Sequence, residues 1–128
     1  MSTTTRDVWV FIEQRNGKPA DVSLELLCKG RKLAQAMGGA VKAVVMGDSI
    51  DTLVAEAFRF GADEAIVIAD PALSQYRTLP YGRILSDLVR EHTPRIVLFG
   101  ATIIGRDLAP RVASATRRPS TSAWTAAG

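Results

Sequence analysis

Four short apolar runs constrain the fold of this chain more than any other feature. Val8-Trp9-Val10-Phe11-Ile12, Val41 to Met46, Ala65-Ile66-Val67-Ile68-Ala69 and Ile96-Val97-Leu98-Phe99 are rich in β-branched residues and nearly continuous. A strand with one wet face alternates apolar and polar residues, whereas continuous runs suit strands covered on both faces, as in a parallel sheet. The segments between the runs carry a helical period instead. Leu26, Leu27, Gly30, Leu33, Ala34 and Met37 form one stripe, stopped by Gly38-Gly39. Ile50, Leu53, Val54, Ala57 and Phe58 form a second, with Asp48 or Ser49 as the expected N-cap and Gly61 as the stop. Tyr81, Ile84, Leu85, Leu88 and Val89 repeat that spacing up to Pro94, and Leu108, Val112 and Ala115 give a weaker stripe after Gly105. The order β-α-β-α-β-α-β-α predicts right-handed crossovers and a doubly wound, mostly parallel α/β sheet in a three-layer, Rossmann-like sandwich.

Residues 1–116 read as one domain. Asn16-Gly17-Lys18 marks a turn in the first loop, and Asp70 to Pro80 a longer loop with two prolines. Residues 117–128 show neither period and read as an irregular tail in which Trp124 is the one strong anchor. A fifth strand belongs there in such a fold, and none is legible.

Composition excludes several classes. The single Cys28 cannot form an internal disulfide, and no apolar run reaches the roughly 18 residues of a membrane span. Met1 to Asp7 is polar, unlike a signal peptide, so a cytoplasmic setting is expected. The net charge of +3 is unevenly placed: residues 1–93 hold 11 Lys/Arg against 12 Asp/Glu, and residues 94–128 hold 5 Arg against Asp107 alone. A basic stripe interleaved with aromatics, the footprint of a nucleic-acid binder, is absent.

Ligands of open α/β sheets bind beyond the carboxyl ends of the strands. The richest loop there is Gly100-Ala101-Thr102-Ile103-Ile104-Gly105-Arg106-Asp107. Its glycines have P-loop spacing, but Arg106-Asp107 replaces the Lys-Ser/Thr pair that holds phosphates and Mg²⁺, so NTP hydrolysis is excluded. What remains is a glycine-bordered turn into a helix N-terminus, able to hold an anion or simply to pack. Arg106 at the positive end of a helix suits a negative partner, while Asp107 suits the first turn on its own. Elsewhere, His92 reads as a dipole-favoured surface residue rather than a catalytic base, Cys28 as a small buried apolar side chain, and Glu13, placed where it could contact a ligand, as a solvated loop charge. One His and one Cys leave almost no material for metal clusters or nucleophilic triads.

The run Gly-Ala-Thr-Ile-Ile-Gly-Arg-Asp-Leu-Ala-Pro-Arg-Val over 100–112 resembles the signature turn and helix of the electron-transfer flavoprotein α subunit. Val8 to Glu13, Leu26 to Lys42, Phe60-Gly61-Ala62-Asp63 and Tyr81 to Asp87 are similar to the same family's N-terminal α/β domain, whose layout is adenine-nucleotide-hydrolase-like. The resemblance implies a domain that packs against a related β subunit. It implies redox FAD held mainly in the α subunit's C-terminal domain, and AMP or a second FAD at the interface with the β subunit. It also implies electron flow from dehydrogenases, of acyl-CoA or NADH type, towards quinone-linked acceptors. Gly100, Ala101, Thr102, Gly105 and Arg106 are the expected cofactor-binding residues. The family continues with a glycine, a further strand and the FAD domain. Residues 117–128 match none of these, so a truncated or frameshifted sequence is expected, colourless on its own.

Two rivals remain open on the sequence. A free-standing adenine-nucleotide module of universal-stress type shares the sheet layout, although its Gly-x-x-Gly and Gly-Ser/Thr phosphate loop is missing. A purely structural fragment would instead self-associate through an open sheet edge.

Overall fold

The computed structural model describes residues 5–116 and 126–127. In chain order it contains β1 (Val8–Ile12), β2 (Gln14–Arg15), β3 (Lys18–Pro19), α1 (Asp21–Met37) and β4 (Val41–Gly47). There follow α2 (Asp51–Arg59), β5 (Glu64–Ala69), a single 3₁₀ turn (Pro71–Leu73), α3 (Thr78–His92), β6 (Ile96–Gly100), α4 (Ile103–Thr116) and β7 (Ala126–Ala127). Five strands form one parallel sheet in the order β5-β4-β1-β6-β7. The chain starts in the middle, winds outward to β5, then crosses back to lay β6 on the other side of β1. That reversal, between β1 and β6, is the topological switch point where open α/β sheets form their crevice.

Every residue of β1 is buried, and successive side chains serve opposite layers. Val8, Val10 and Ile12 join Leu26, Leu27, Leu53 and Ala57 under α1 and α2. Trp9 and Phe11 join Tyr81, Leu85, Leu108 and Val112 under α3 and α4. Full burial of side chains this large is worth about 1.5–3 kcal/mol each, so the three layers are held chiefly through the central strand. Phe11 sits between two rings, with centroids 6.2 Å from Tyr81 and 5.9 Å from Phe99. The predicted turn is the tip of the β2–β3 hairpin, where Asn16 and Gly17 both take positive φ (54° and 80°), the geometry of a two-residue primed turn. Among the described residues no helix is long and apolar enough to cross a membrane.

Several expectations need correction. β5 is an edge strand, and Glu64, Val67 and Ala69 are exposed, because only β4 flanks it. The N-cap of α2 is Ile50, with no side-chain cap bond, rather than Asp48 or Ser49. Ser49 instead lies against the hairpin tip, where a Cβ on Gly17 would stand 3.1 Å from the Ser49 carbonyl. Phe58 and Leu33 turn to solvent, as does Ala115. Cys28 is exposed on α1, its Sγ 3.7 Å from the Phe60 carbonyl. Helix α3 begins inside the expected Asp70–Pro80 loop, at Thr78, with Pro80 accommodated in its first turn. The fifth strand exists as Ala126–Ala127, paired with Phe99 and Gly100. The rest of the expected tail, Trp124 included, lies outside the described residues.

Candidate functional site

The crevice between β1 and β6 is built from Glu13, which follows β1, and from the junction of β6 with α4. The turn itself is only Ala101 and Thr102; Gly105 already belongs to α4. It must be glycine there, because a Cβ would fall 1.9 Å from the Gly100 carbonyl oxygen. Helix backbone thus rests directly on the end of the strand. Thr102 caps α4: its Oγ1 accepts from the Gly105 N–H (3.0 Å), and its carbonyl accepts from the Arg106 N–H (2.8 Å). With its lone pair so engaged, the Thr102 hydroxyl donates its proton to Glu13 Oε2 at 2.7 Å.

Glu13 is therefore no solvated loop charge; it is 6% exposed. Its N–H donates to Ser23 Oγ (3.0 Å), its carbonyl accepts from the Ala20 N–H (2.8 Å), and Oε1 has no donor among the described residues. Burial pushes its carboxyl above the usual range, and the Thr102 hydroxyl only partly offsets that. Gly100 completes the seat, since a Cβ there would lie 2.9 Å from Oε2. Sequence reasoning undervalued Glu13. The register of the folded sheet brings it here: Val8 pairs with Ile96, so the residues after Ile12 meet those after Gly100, where a glycine leaves room for a large neighbour.

Asp107 has the opposite surroundings. Its Oδ2 accepts from Tyr76 Oη (2.6 Å) and Thr78 Oγ1 (2.7 Å), and its Oδ1 from Arg111 Nε (3.3 Å). These bonds, Tyr76 first, hold its carboxyl below the usual range. In return, burial and then the Asp107 bond push the Tyr76 phenol up to about 12. Asp107 thus ties the loop before α3 and the start of α3 to α4, one turn past the α4 N-terminus.

The other predicted site residues divide by exposure. Gly100 and Gly105 are buried and Ala101 and Thr102 half-buried, whereas Arg106 is exposed and has no ion-pair partner among the described residues. Beside it Ile103 stands 87% exposed. His92, at the end of α3, is exposed and lies against Trp9, ring centroids 5.9 Å apart, away from the crevice. Next to the junction is a cleft of about 510 Å³ whose wall includes Glu13, Arg15, Lys18 and Ile104.

A nucleotide of the kind the resemblance implies, FAD or AMP, needs a cradle of free N–H groups for its phosphate. Here Gly105 and Arg106 have spent theirs on Thr102, and a carboxylate stands 2.7 Å from the cap hydroxyl. The elbow's own residues do not fit a phosphate.

Comparison with known proteins gives the lineage. Residues 8–127 match the electron transfer flavoprotein domain. The chain is 47% identical over 109 residues to an electron transfer flavoprotein subunit alpha of Thermoanaerobacterium thermosaccharolyticum, covering 85% of this chain and 33% of that one. It is 46% identical over 112 residues to Protein FixB of Azorhizobium caulinodans, covering 85% and 30%. The chain thus spans about a third of the length of these curated relatives. Among solved structures, a universal stress protein from Archaeoglobus fulgidus superposes with a TM-score of 0.57 at 14% identity, covering 88% of this chain and 89% of that one. That last likeness speaks to the fold alone, the Rossmann-like sandwich predicted from the strand pattern. With the family domain spanning nearly all of the described residues, this chain belongs to the electron transfer flavoprotein family, alongside its α subunits and FixB proteins.

Proposed function

We propose that this chain is the N-terminal, partner-binding domain of an electron-transfer flavoprotein α subunit, working in the cytoplasm with a related β subunit. The complete complex would pass electrons from dehydrogenases, of acyl-CoA or NADH type, to quinone-linked acceptors. FAD, bound outside this domain, supplies the one- and two-electron chemistry; the domain supplies position and electrostatics.

The observation that carries the reading is the first turn of α4. Ile103 is 87% exposed at a helix end whose following turn is pinned by Thr102 and Asp107. Arg106 projects beside it without an ion-pair partner among the described residues. A large apolar side chain next to an unpaired Arg on a rigid element is the composition of an interface anchor. Gly100, Ala101, Thr102 and Gly105 shape the elbow, and of the expected cofactor-binding set Arg106 is the residue that reaches a nucleotide held at the interface. The rival adenine-nucleotide module is disfavoured by the Gly105 and Arg106 N–H groups, which are spent on Thr102.

Mixing the chain with its cognate β subunit and running gel filtration tests the reading. Co-elution is expected, and Ile103→Glu should weaken association by about 30-fold, the effect of losing one central anchor. Separate elution of the unaltered chain and the β subunit would overturn it.

A further inference from the structure

We propose that β5 is an interface strand, pairing antiparallel with β5 of a second copy of this chain across a two-fold axis at Val67. Its composition and its position disagree. Ala65-Ile66-Val67-Ile68-Ala69 is a continuous apolar run of the kind that suits a covered strand, yet among the described residues only β4 flanks it. Val67 is 39% exposed, and Ala69, on the same face, is exposed too. The usual guards of a free edge are missing. β5 holds no Pro and no Lys, its one charge is Glu64 at the start, and its register with β4 runs unbroken from Glu64 to Ala69. This edge lies across the sheet from β6 and α4, so the inference goes beyond the partner-binding reading and does not rest on it.

Two observations select a second copy as the occupant. The run reads the same in both directions about Val67, so an antiparallel copy centred there sets Val67 against Val67, Ile66 against Ile68 and Ala65 against Ala69. Residues directly opposite in such a pair share a face, so the isoleucines, which lean on the core under α3 and α4, stay on that side in both copies. Charge gives the second observation. Helix α2 packs on β4 and β5 at this edge, and Asp51, Ala55, Phe58 and Arg59 form one exposed stripe along it. The same axis lays α2 antiparallel to its copy, with Asp51 at the start of one helix facing Arg59 at the end of the other, twice over. Strands about 4.8 Å apart put the two helices roughly 10 Å apart, an ordinary packing distance. Ala55 keeps the middle of the stripe low, and Phe58, 48% exposed, supplies apolar area. At the strand ends Glu64 falls opposite Asp70, but both are already engaged, by Lys42 Nζ (3.1 Å) and by the Ala72 N–H (2.8 Å).

Sedimentation velocity of the full chain tests this, with circular dichroism to report whether each variant folds. Wild type is expected to dimerise, and Val67→Lys, which sets two ammonium groups across the axis, to weaken the dimer at least about tenfold. Arg59→Asp should weaken it about threefold, and adding Asp51→Arg should restore it, because only the antiparallel arrangement pairs those positions. Should Val67→Lys fail to fold, Val67→Cys in a Cys28→Ser background carries the test. Opposite residues lie within disulfide reach, so oxidation should link two chains through Val67→Cys but not through Ala65→Cys, which meets Ala69. A wild type that stays monomeric at about 500 µM would overturn the proposal, since an interface weaker than that is no specific dimer. So would a folded Val67→Lys that dimerises as tightly as wild type, a double charge swap that restores nothing, or no linked chains. A monomeric wild type whose binding to the β subunit is lost in Val67→Lys would assign this edge to that partner instead, and overturn the second copy.

Discussion

Two carboxylates bracket the first turn of α4, and the chain treats them in opposite ways. Glu13 is buried and receives one hydroxyl; Asp107 lies nearer the water and receives two hydroxyls and a guanidinium. The first is pushed above the usual carboxylate range and the second held below it. The difference teaches that donors must outweigh desolvation before a carboxylate gains from its surroundings. Asp107 is a strut that stabilises by being charged. Glu13 fills a space and supplies a sign, and its charge opposes folding.

The comparison breaks most severely at the shared backbone. Gly105→Ala forces a methyl into the Gly100 carbonyl, and no side-chain rotation can relieve that clash. A loss of at least about 3 kcal/mol is expected by urea denaturation, at the upper end of overpacking effects. A loss below 1 kcal/mol, roughly that of a mild helix substitution, would show that α4 does not rest on β6 as described.

The strut is tested from the alkaline side. Free tyrosine ionises near 10 and Tyr76 at about 12, so between those values the unfolded chain releases a proton that the folded chain keeps. Stability should therefore fall as pH rises from 10 towards 12. Asp107→Asn should lower the Tyr76 midpoint, followed by phenolate absorbance with Tyr76→Phe as the reference. An unmoved midpoint would detach the two groups. On the acid side Asp107 contributes stability that is present above the ordinary carboxylate value of 3.8 and lost as pH falls through its lower folded value.

Glu13 should show the smallest effect and the opposite slope. Because its folded pKa is raised, the penalty is full at neutral pH and shrinks as pH falls through the folded value towards 4.5. Glu13→Gln should change stability by no more than about 1 kcal/mol at pH 7, since it trades a charged for a neutral hydrogen bond. The gap between variant and wild type should drift with pH across that window. A constant gap would mean that the carboxyl is not desolvated.

The architecture was legible because four continuous runs and three strong helical stripes leave few topologies. The Asn16-Gly17 tip was legible because primed turns select those residues. Helix starts were not. The first turn of α1 carries Asp21 and that of α3 the exposed Leu79, which lie off the apolar stripe, so the period begins later than the helix. The Glu13–Thr102 pair was hidden for another reason: its members are 89 residues apart, and only the crossover order brings them together. Asp107 reads as a first-turn residue in the sequence, but α4 starts earlier, at Ile103, so Asp107 lies one turn in, and its bonds to Tyr76 and Thr78 span a loop whose course carries no periodic signal.

One side chain of the hairpin has a consequence for how the domain meets other molecules. Gln14 Nε2 donates to the carbonyls of Leu73 (3.3 Å) and Ser74 (3.2 Å), while its Oε1 accepts from the Gly17 N–H (3.0 Å). The hairpin is thereby stitched to the segment that leads to Tyr76, which is fastened through Asp107 to α4, whose cap returns through Thr102 to Glu13 at the hairpin's foot. The loops around the rim form a closed circuit before any encounter. A protein landing on Ile103 meets a surface that is already set, so little loop freedom is surrendered on docking, and more of the contact energy is retained as residence time.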